Sequence, residues 1–274
     1  MKLLKPDNPE ILSVVVMKEN KIIAQTQQTE ILYPQYSIMK SLVALVIGNL
    51  LENQKLTLET TVGEVLNTGN VPISNISLEK LLSMQSGMQE KLLFADRTTC
   101  KDYIKACCEM NVKNKQEFLY SNACAYLAGR IAETQEKISL ESQIISMLFK
   151  PLNIKNYEFE YDTEGRVFGA SGLKLKTEDL AKIGRGILEH KICSAKWQKN
   201  FSSTHAISND GKPYGYFFWI LENGFYMSGK WGQRCFMFPE YQAVIAINSN
   251  MQKQDIINYY MTCELLPLLE VSHE

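Results

Sequence analysis

Strand-type sequence lies at both ends of this chain and helix-type sequence fills its middle, and that distribution restricts the folds open to it. "ILSVVVMKENKIIAQTQQ" (11–28) reads as two strands, with the β-branched Val14, Val15 and Val16, a turn at Glu19-Asn20, and a return through Ile22, Ile23 and Ala24. In the last third, "YGYFFWILENGFYMSG" reads as a hairpin about Glu222-Asn223-Gly224, and "RCFMFPEYQAVIAINS" as a second about Pro239-Glu240. Between them helices follow one another: one from Ser37, "ISLEKLLSMQSGM" with Ser77 as N-cap and an end near Gly87, then 100–111, 122–135 and "SLESQIISMLFKPLNI". "KTEDLAKIGRGILEHK" reads as a helix capped by Thr177, and 253–270 as a terminal helix. The simplest folding of that order is a mixed α/β architecture. One antiparallel sheet is formed by both chain ends and flanked by helices, and an all-helical region is inserted between them. The expected division is a sheet domain of 1–50 with 170–274 and a helical domain of 51–169.

With 274 residues, 45% of them hydrophobic, the chain can bury a sizeable core. A formal net charge of −1 argues against nucleic acid as a partner. No apolar run reaches the ~18 residues of a membrane span, and the N-terminus lacks the apolar core of a secretory signal. The seven cysteines are odd in number and form no CxxC pair, so neither a disulfide framework nor a metal site is expected. Free thiols fit a reducing cytoplasm.

One lysine interrupts the longest apolar stretch. In "YPQYSIMKSLVALVIGNLLENQKL" (33–56), Lys40 sits among Ile38, Met39, Leu42 and Val43, three residues after Ser37. On a helix, residues i and i+3 are neighbours. Burial favours the uncharged amine, which can take the proton from the Ser37 hydroxyl and so supply the base that a serine nucleophile needs. Ser-x-x-Lys also occurs as "SLEK" (77–80), which reads as an N-cap with a solvated lysine, and as "SGLK" (171–174), in a loop or strand start. A lysine at position 40 could equally snorkel to the surface.

Two further elements carry chemistry. Tyr120-Ser121-Asn122 precedes a helix start; Tyr120 could share acid and base duties with Lys40, and Asn122 offers a donor and an acceptor to an amide or ester. The same residues also fit a plain helix N-cap with a packed aromatic. In "FYMSGKWGQRCFMFPE", Ser228 and Gly229 let a strand approach something closely, and the Lys230 N–H could join that of Ser37 as an oxyanion pair. A hairpin that merely contains glycines fits as well.

A serine-lysine helix, a Tyr-x-Asn turn and a late glycine-containing strand, in that order, resemble the serine β-lactamases and penicillin-binding proteins, in the Tyr-Ser-Asn form of the class C branch. The resemblance implies a β-lactamase/transpeptidase-like fold and a serine hydrolase that cleaves an ester, amide or peptide bond of a small molecule through an acyl-enzyme, without cofactor or metal. It makes Ser37 the nucleophile, Lys40 its proton acceptor and Tyr120 the proton relay to the leaving group. Asn122, Ser228, Gly229 and the Lys230 backbone would hold substrate. Met227 stands where the family has lysine or histidine, which removes a charge for a substrate carboxylate, while Trp231 suits an apolar acyl group; Lys230 or Arg234 could supply the charge if the local alignment is shifted. The Met227 departure also leaves open a catalytically weak ligand-binding or regulatory module on the same fold.

Overall fold

Ile11–Lys18 and Lys21–Gln25 form the first hairpin, and Glu19 and Asn20 at its turn both take positive φ, 48° and 66°. That is the left-handed pair of a two-residue turn whose twist matches the flanking strands. The structure, a computed structural model, describes residues 1–27, 30–69, 71–90, 100–113, 117–253 and 255–270. Gln28, Gln254 and His273, the first two inside expected elements, lie outside those residues.

The N-terminal hairpin is built into the C-terminal sheet. Ile11–Lys18 pairs antiparallel with Ala243–Ser249, with Val15 opposite Ala246 and Val16 opposite Ile245. Ala243–Ser249 continues to Gln233–Phe238 and that to Gly224–Gly229, all antiparallel, and Trp219–Leu221, Pro213–Tyr214 and Ala206–Ile207 extend the far edge. At the near edge Lys2–Leu3 adds the one parallel pairing among the described strands of this sheet. The expected sheet from both chain ends, flanked by helices, is therefore present.

Both faces of the sheet are buried, so its central strands read as unbroken apolar runs and not as alternation. Val14, Val16, Phe236, Ile245 and Ile247 face a core closed by Ile257, Met261, Leu265 and Leu269 of the C-terminal helical segment. Val15, Met227, Cys235, Met237 and Ala246 belong to the larger core shared with the helices. Ile38–Glu52 is central to that core: twelve of its fifteen residues are buried.

Several elements differ from expectation. A second sheet of Tyr33–Pro34, Leu173–Leu175 and Tyr157–Phe159 flanks the helix start at Ser37. The helix capped by Ser77 stops at Leu82 and not near Gly87, and Met84 turns left-handed at φ 59°. Thr177 does not cap Thr177–Leu188; it lies within the helix and its Oγ1 accepts from Asn248 Nδ2 instead. In the Trp219–Leu221 hairpin Leu221 pairs directly with Gly224, so the turn is Glu222-Asn223. Gly224 is needed for a different reason: a Cβ there would lie 2.2 Å from the Met237 carbonyl oxygen.

Candidate active site

Ser37 occupies the N-cap position of Ile38–Glu52, and the chain reaches it through a strained step, since Tyr36 has φ 48°. A bulky residue in that region costs on the order of 1–2 kcal/mol and is retained only where the surroundings over-determine it. Gln35 provides that constraint. It is fully buried, and its Nε2 donates to the Tyr33 carbonyl at 2.7 Å and to Asn248 Oδ1 at 3.0 Å. Asn248 in turn donates to Thr177 Oγ1 at 2.8 Å, so the segment before Ser37 is tied to the sheet and to the Thr177–Leu188 helix.

Lys40, one turn on, is 1% exposed and does not snorkel. Its Nζ donates to Ser37 Oγ at 2.8 Å, to Asn122 Oδ1 at 2.7 Å and to the Ala170 carbonyl at 3.1 Å. The amine also lies 5.0 Å from the centroid of the Tyr120 ring. Residues from 37–40, 120–122 and 170 thus meet at one nitrogen. The lysines of the other two Ser-x-x-Lys matches sit elsewhere: Lys80 follows the Ser77 N-cap, and Lys174 pairs with Glu158 at 2.9 Å.

Tyr120 is 40% exposed, and its ring stacks on Trp219 with centroids 6.4 Å apart and planes 16° apart. Asn122 opens the fifteen-residue helix Asn122–Glu136. Ser121 stands at the N-cap position, yet its side chain does not cap. The cap comes from Glu90, whose Oε2 accepts from Ser121 Oγ at 2.7 Å, from Ala123 N at 3.2 Å and from Asn122 N. Buried beneath this turn, Cys124 Sγ lies 3.2 Å from Ser86 Oγ, and burial pushes its thiol up to about 11.

Ser228 and Gly229 end the Gly224–Gly229 strand beside Ser37. A Cβ on Gly229 would lie 2.3 Å from the Gln35 carbonyl oxygen, so only glycine lets this strand come so near the serine segment. Met227 is fully buried and places no group in the cleft. Arg234, directly across the sheet from Ser228, turns Nη1 onto the carbonyls of Gly229 and Gln233 at 3.0 and 2.8 Å. Lys230 is exposed, its amine 4.7 Å from the Trp231 ring.

These parts open on a cleft of about 540 Å3. Of the residues singled out in the sequence, Ser37, Tyr120, Ser228, Gly229 and Lys230 line it; Lys40 and Asn122 lie directly behind Ser37. Trp231 is not among the lining residues. Phe118, Leu119 and Trp219 give the lining its apolar part, and Ser208, Asn209 and Asp210 add polar groups. The sequence reading missed those residues and Glu90. A separate polar recess of about 230 Å3, between Gln25, Thr26, Lys176 and Asp179, contains none of the motif residues. Among the described residues no cluster of three or more His, Cys, Asp or Glu could hold a metal ion, and no helix is long and apolar enough to cross a membrane.

The Beta-lactamase family model matches residues 12–256, most of the chain and every part of the site. The protein belongs to the Beta-lactamase family. No match was found among curated proteins. Among solved structures, this β-lactamase-family protein is similar to the octameric penicillin-binding protein homologue from Pyrococcus abyssi, with TM-score 0.80 and 22% identity over 93% of this chain and 73% of that one. It is similar also to a D-stereospecific amidohydrolase from Streptomyces sp., with TM-score 0.75 and 16% identity over 92% and 93% of the two chains. A third is a penicillin-binding protein from Bacillus halodurans, with TM-score 0.74 and 14% identity over 91% and 95%. At these identities the shared property is the fold.

Proposed function

We propose that this member of the Beta-lactamase family is a serine hydrolase that cleaves an ester or amide bond through an acyl-enzyme on Ser37. The observation that carries the reading is the 2.8 Å contact between Ser37 Oγ and a lysine amine that is 1% exposed. In the reaction the Lys40 amine, after giving up the proton it directs at Ser37 Oγ in this structure, takes the hydroxyl proton as Ser37 attacks the carbonyl. The backbone N–H groups of Ser37 and Lys230 receive the developing oxyanion. Lys40 and Tyr120 pass the proton to the leaving group, and water then releases the acyl group by the reverse sequence. Asn122, behind Ser37, steadies the Lys40 amine through its Oδ1. On this reading the two lobes, 1–50 with 170–274 and 51–169, meet at the cleft. The first supplies Ser37, Trp219, Ser228 and Lys230, and the second supplies Phe118 to Tyr120.

The wall of Phe118, Leu119 and Trp219, the burial of Met227 and the inward turn of Arg234 favour an uncharged or apolar acyl group over a free carboxylate. The seven thiols are unpaired, which supports a reducing, cytoplasmic setting.

A fluorophosphonate probe on the intact protein, followed by mass spectrometry, tests the proposal. Labelling at Ser37 that disappears in Ser37→Ala is the expected result. Wild-type protein that resists fluorophosphonate and penicillin-type probes alike, and hydrolyses none of a panel of p-nitrophenyl esters, nitrocefin and short amides, refutes it. An acyl adduct on Ser37 that forms from a p-nitrophenyl ester and is never hydrolysed would instead mark a ligand-binding module without turnover, the reading that the Met227 departure favours.

A further inference from the structure

We infer that Glu90 is a positioning residue for this site: its carboxylate clamps the back of the Tyr120-Ser121-Asn122 turn and so sets where Asn122 meets Lys40. The inference rests on the hydrolase reading above.

Ser121 is extended, with φ −141° and ψ 133°, and 1% exposed. In extended backbone successive side chains point to opposite sides. Tyr120 and Asn122 therefore point toward Lys40, while Ser121 faces the interior, where Glu90 Oε2 accepts from its hydroxyl at 2.7 Å. The same oxygen accepts from the N–H groups of Asn122 and Ala123. A carboxylate is well matched to that place, because the first N–H groups of a fifteen-residue helix have no partner within it and carry partial positive charge.

Glu90 is itself held. Met88 bridges Val112, Gln89 N donates to the Asn111 carbonyl at 2.9 Å, and Lys113 N donates to the Gly87 carbonyl at 2.9 Å. The Tyr120 side of the turn is fastened to the same stretch, since Leu119 N donates to the Met84 carbonyl at 2.8 Å and Ser121 N lies 3.3 Å from Met84 Sδ. The segment from 84 to 90 thus fixes the turn from both sides, and Glu90 is its charged contact. Asn122 Oδ1 reaches Lys40 Nζ at 2.7 Å only while the first helical turn stays in place. A displacement of about 1 Å at such a contact costs on the order of 10²-fold in rate.

The test uses the full chain and a p-nitrophenyl ester or, where turnover is slow, the rate of Ser37 labelling by the fluorophosphonate probe. Glu90→Ala should lower kcat or the labelling rate about 30- to 100-fold, with KM within about threefold. Glu90→Gln keeps an amide oxygen for the two backbone donors and should regain at least about tenfold of that loss. Ser121→Ala removes one of the three donors and should cost about three- to tenfold. Hydrogen exchange reads the clamp without reference to activity: the amides of Asn122 and Ala123 should exchange at least about tenfold faster in Glu90→Ala than in wild type. If Glu90→Ala does not fold, Glu90→Gln and Ser121→Ala carry the test. A folded Glu90→Ala protein with wild-type kcat, or with unchanged exchange at both amides, overturns the inference. Equal losses in the Gln and Ala variants while the Asn122 and Ala123 amides stay protected in Glu90→Gln overturn it too, because the hydrogen bonds to Glu90 would then not set the rate. Should wild-type protein neither label nor hydrolyse anything, the hydrolase reading fails first, and the two amides alone decide whether the clamp exists.

Discussion

Replacing Gly229 by alanine should damage catalysis far more than folding, and the structure sets the scale. The added Cβ would stand 2.3 Å from the Gln35 carbonyl oxygen, whereas real Cβ atoms keep at least about 3.0 Å from other heavy atoms, so the strand and the serine segment must separate by about 0.7 Å. Gly229 has φ −121° and ψ 160°, an ordinary extended conformation, so alanine meets no backbone penalty of its own. Overpacking of this kind costs ~1–3 kcal/mol, and the stiffer unfolded chain returns ~0.4–1 kcal/mol. The net loss is then about 0–2.6 kcal/mol, or a fall in Tm of at most roughly 10 °C at ~2–4 °C per kcal/mol for a chain of this size. The functional effect is larger, because the same separation pulls the Lys230 N–H away from that of Ser37. Losing one oxyanion donor costs ~10²–10³ in kcat. Steady-state hydrolysis of p-nitrophenyl esters, with differential scanning fluorimetry on the same samples, measures both. A Gly229→Ala protein with kcat within threefold of wild type would show that the closeness of strand and serine segment does not set the oxyanion geometry.

Lys40→Met should retain the fold, since an apolar chain of similar shape replaces a buried amine, yet lower acylation about 10²- to 10⁴-fold; near-normal burst kinetics would remove Lys40 from the mechanism. Trp219→Ala should raise KM about tenfold for a long-chain acyl ester and much less for an acetate, because each buried methylene is worth ~0.8 kcal/mol; an equal change for both esters would mean that the Phe118–Trp219 wall does not contact the acyl chain. Iodoacetamide at pH 8 should modify the exposed Cys263 first and spare Cys124, whose thiol burial holds at about 11; peptide mapping that finds Cys124 alkylated before Cys263 would contradict the packing around the Asn122 helix.

What the sequence disclosed of this site follows from the range over which each residue acts. Lys40 was legible because a single cation in an apolar helical stripe breaks a local pattern, and its neighbour Ser37 lies one turn away. Gly229 was legible as a point of close approach, but its partner, the Gln35 carbonyl, is almost two hundred positions distant and leaves no local trace. Glu90 is separated from its three donors by 31 to 33 residues, and an isolated glutamate resembles any solvated one. Trp231 drew attention through its place beside Ser228 and Gly229, yet its left-handed backbone, φ 63°, goes with a carbonyl tied to Met251 and Ser249, while Trp219 two strand ends away meets Tyr120. The small sheet at Tyr33 escaped because strands of two or three residues are too short to show a period.

The pairing of Ile11–Lys18 with Ala243–Ser249 has a consequence for synthesis of the protein. The partners are separated by 225 to 238 positions, so at ribosomal speeds of ~5–20 residues per second the early valines wait about 11–48 s for the strand that covers them. Until then the first hairpin has no ladder to join. The valines of Ile11–Lys18 thus emerge well before the strand that covers them, which makes a holding chaperone most useful on that segment until residue 249 has been made.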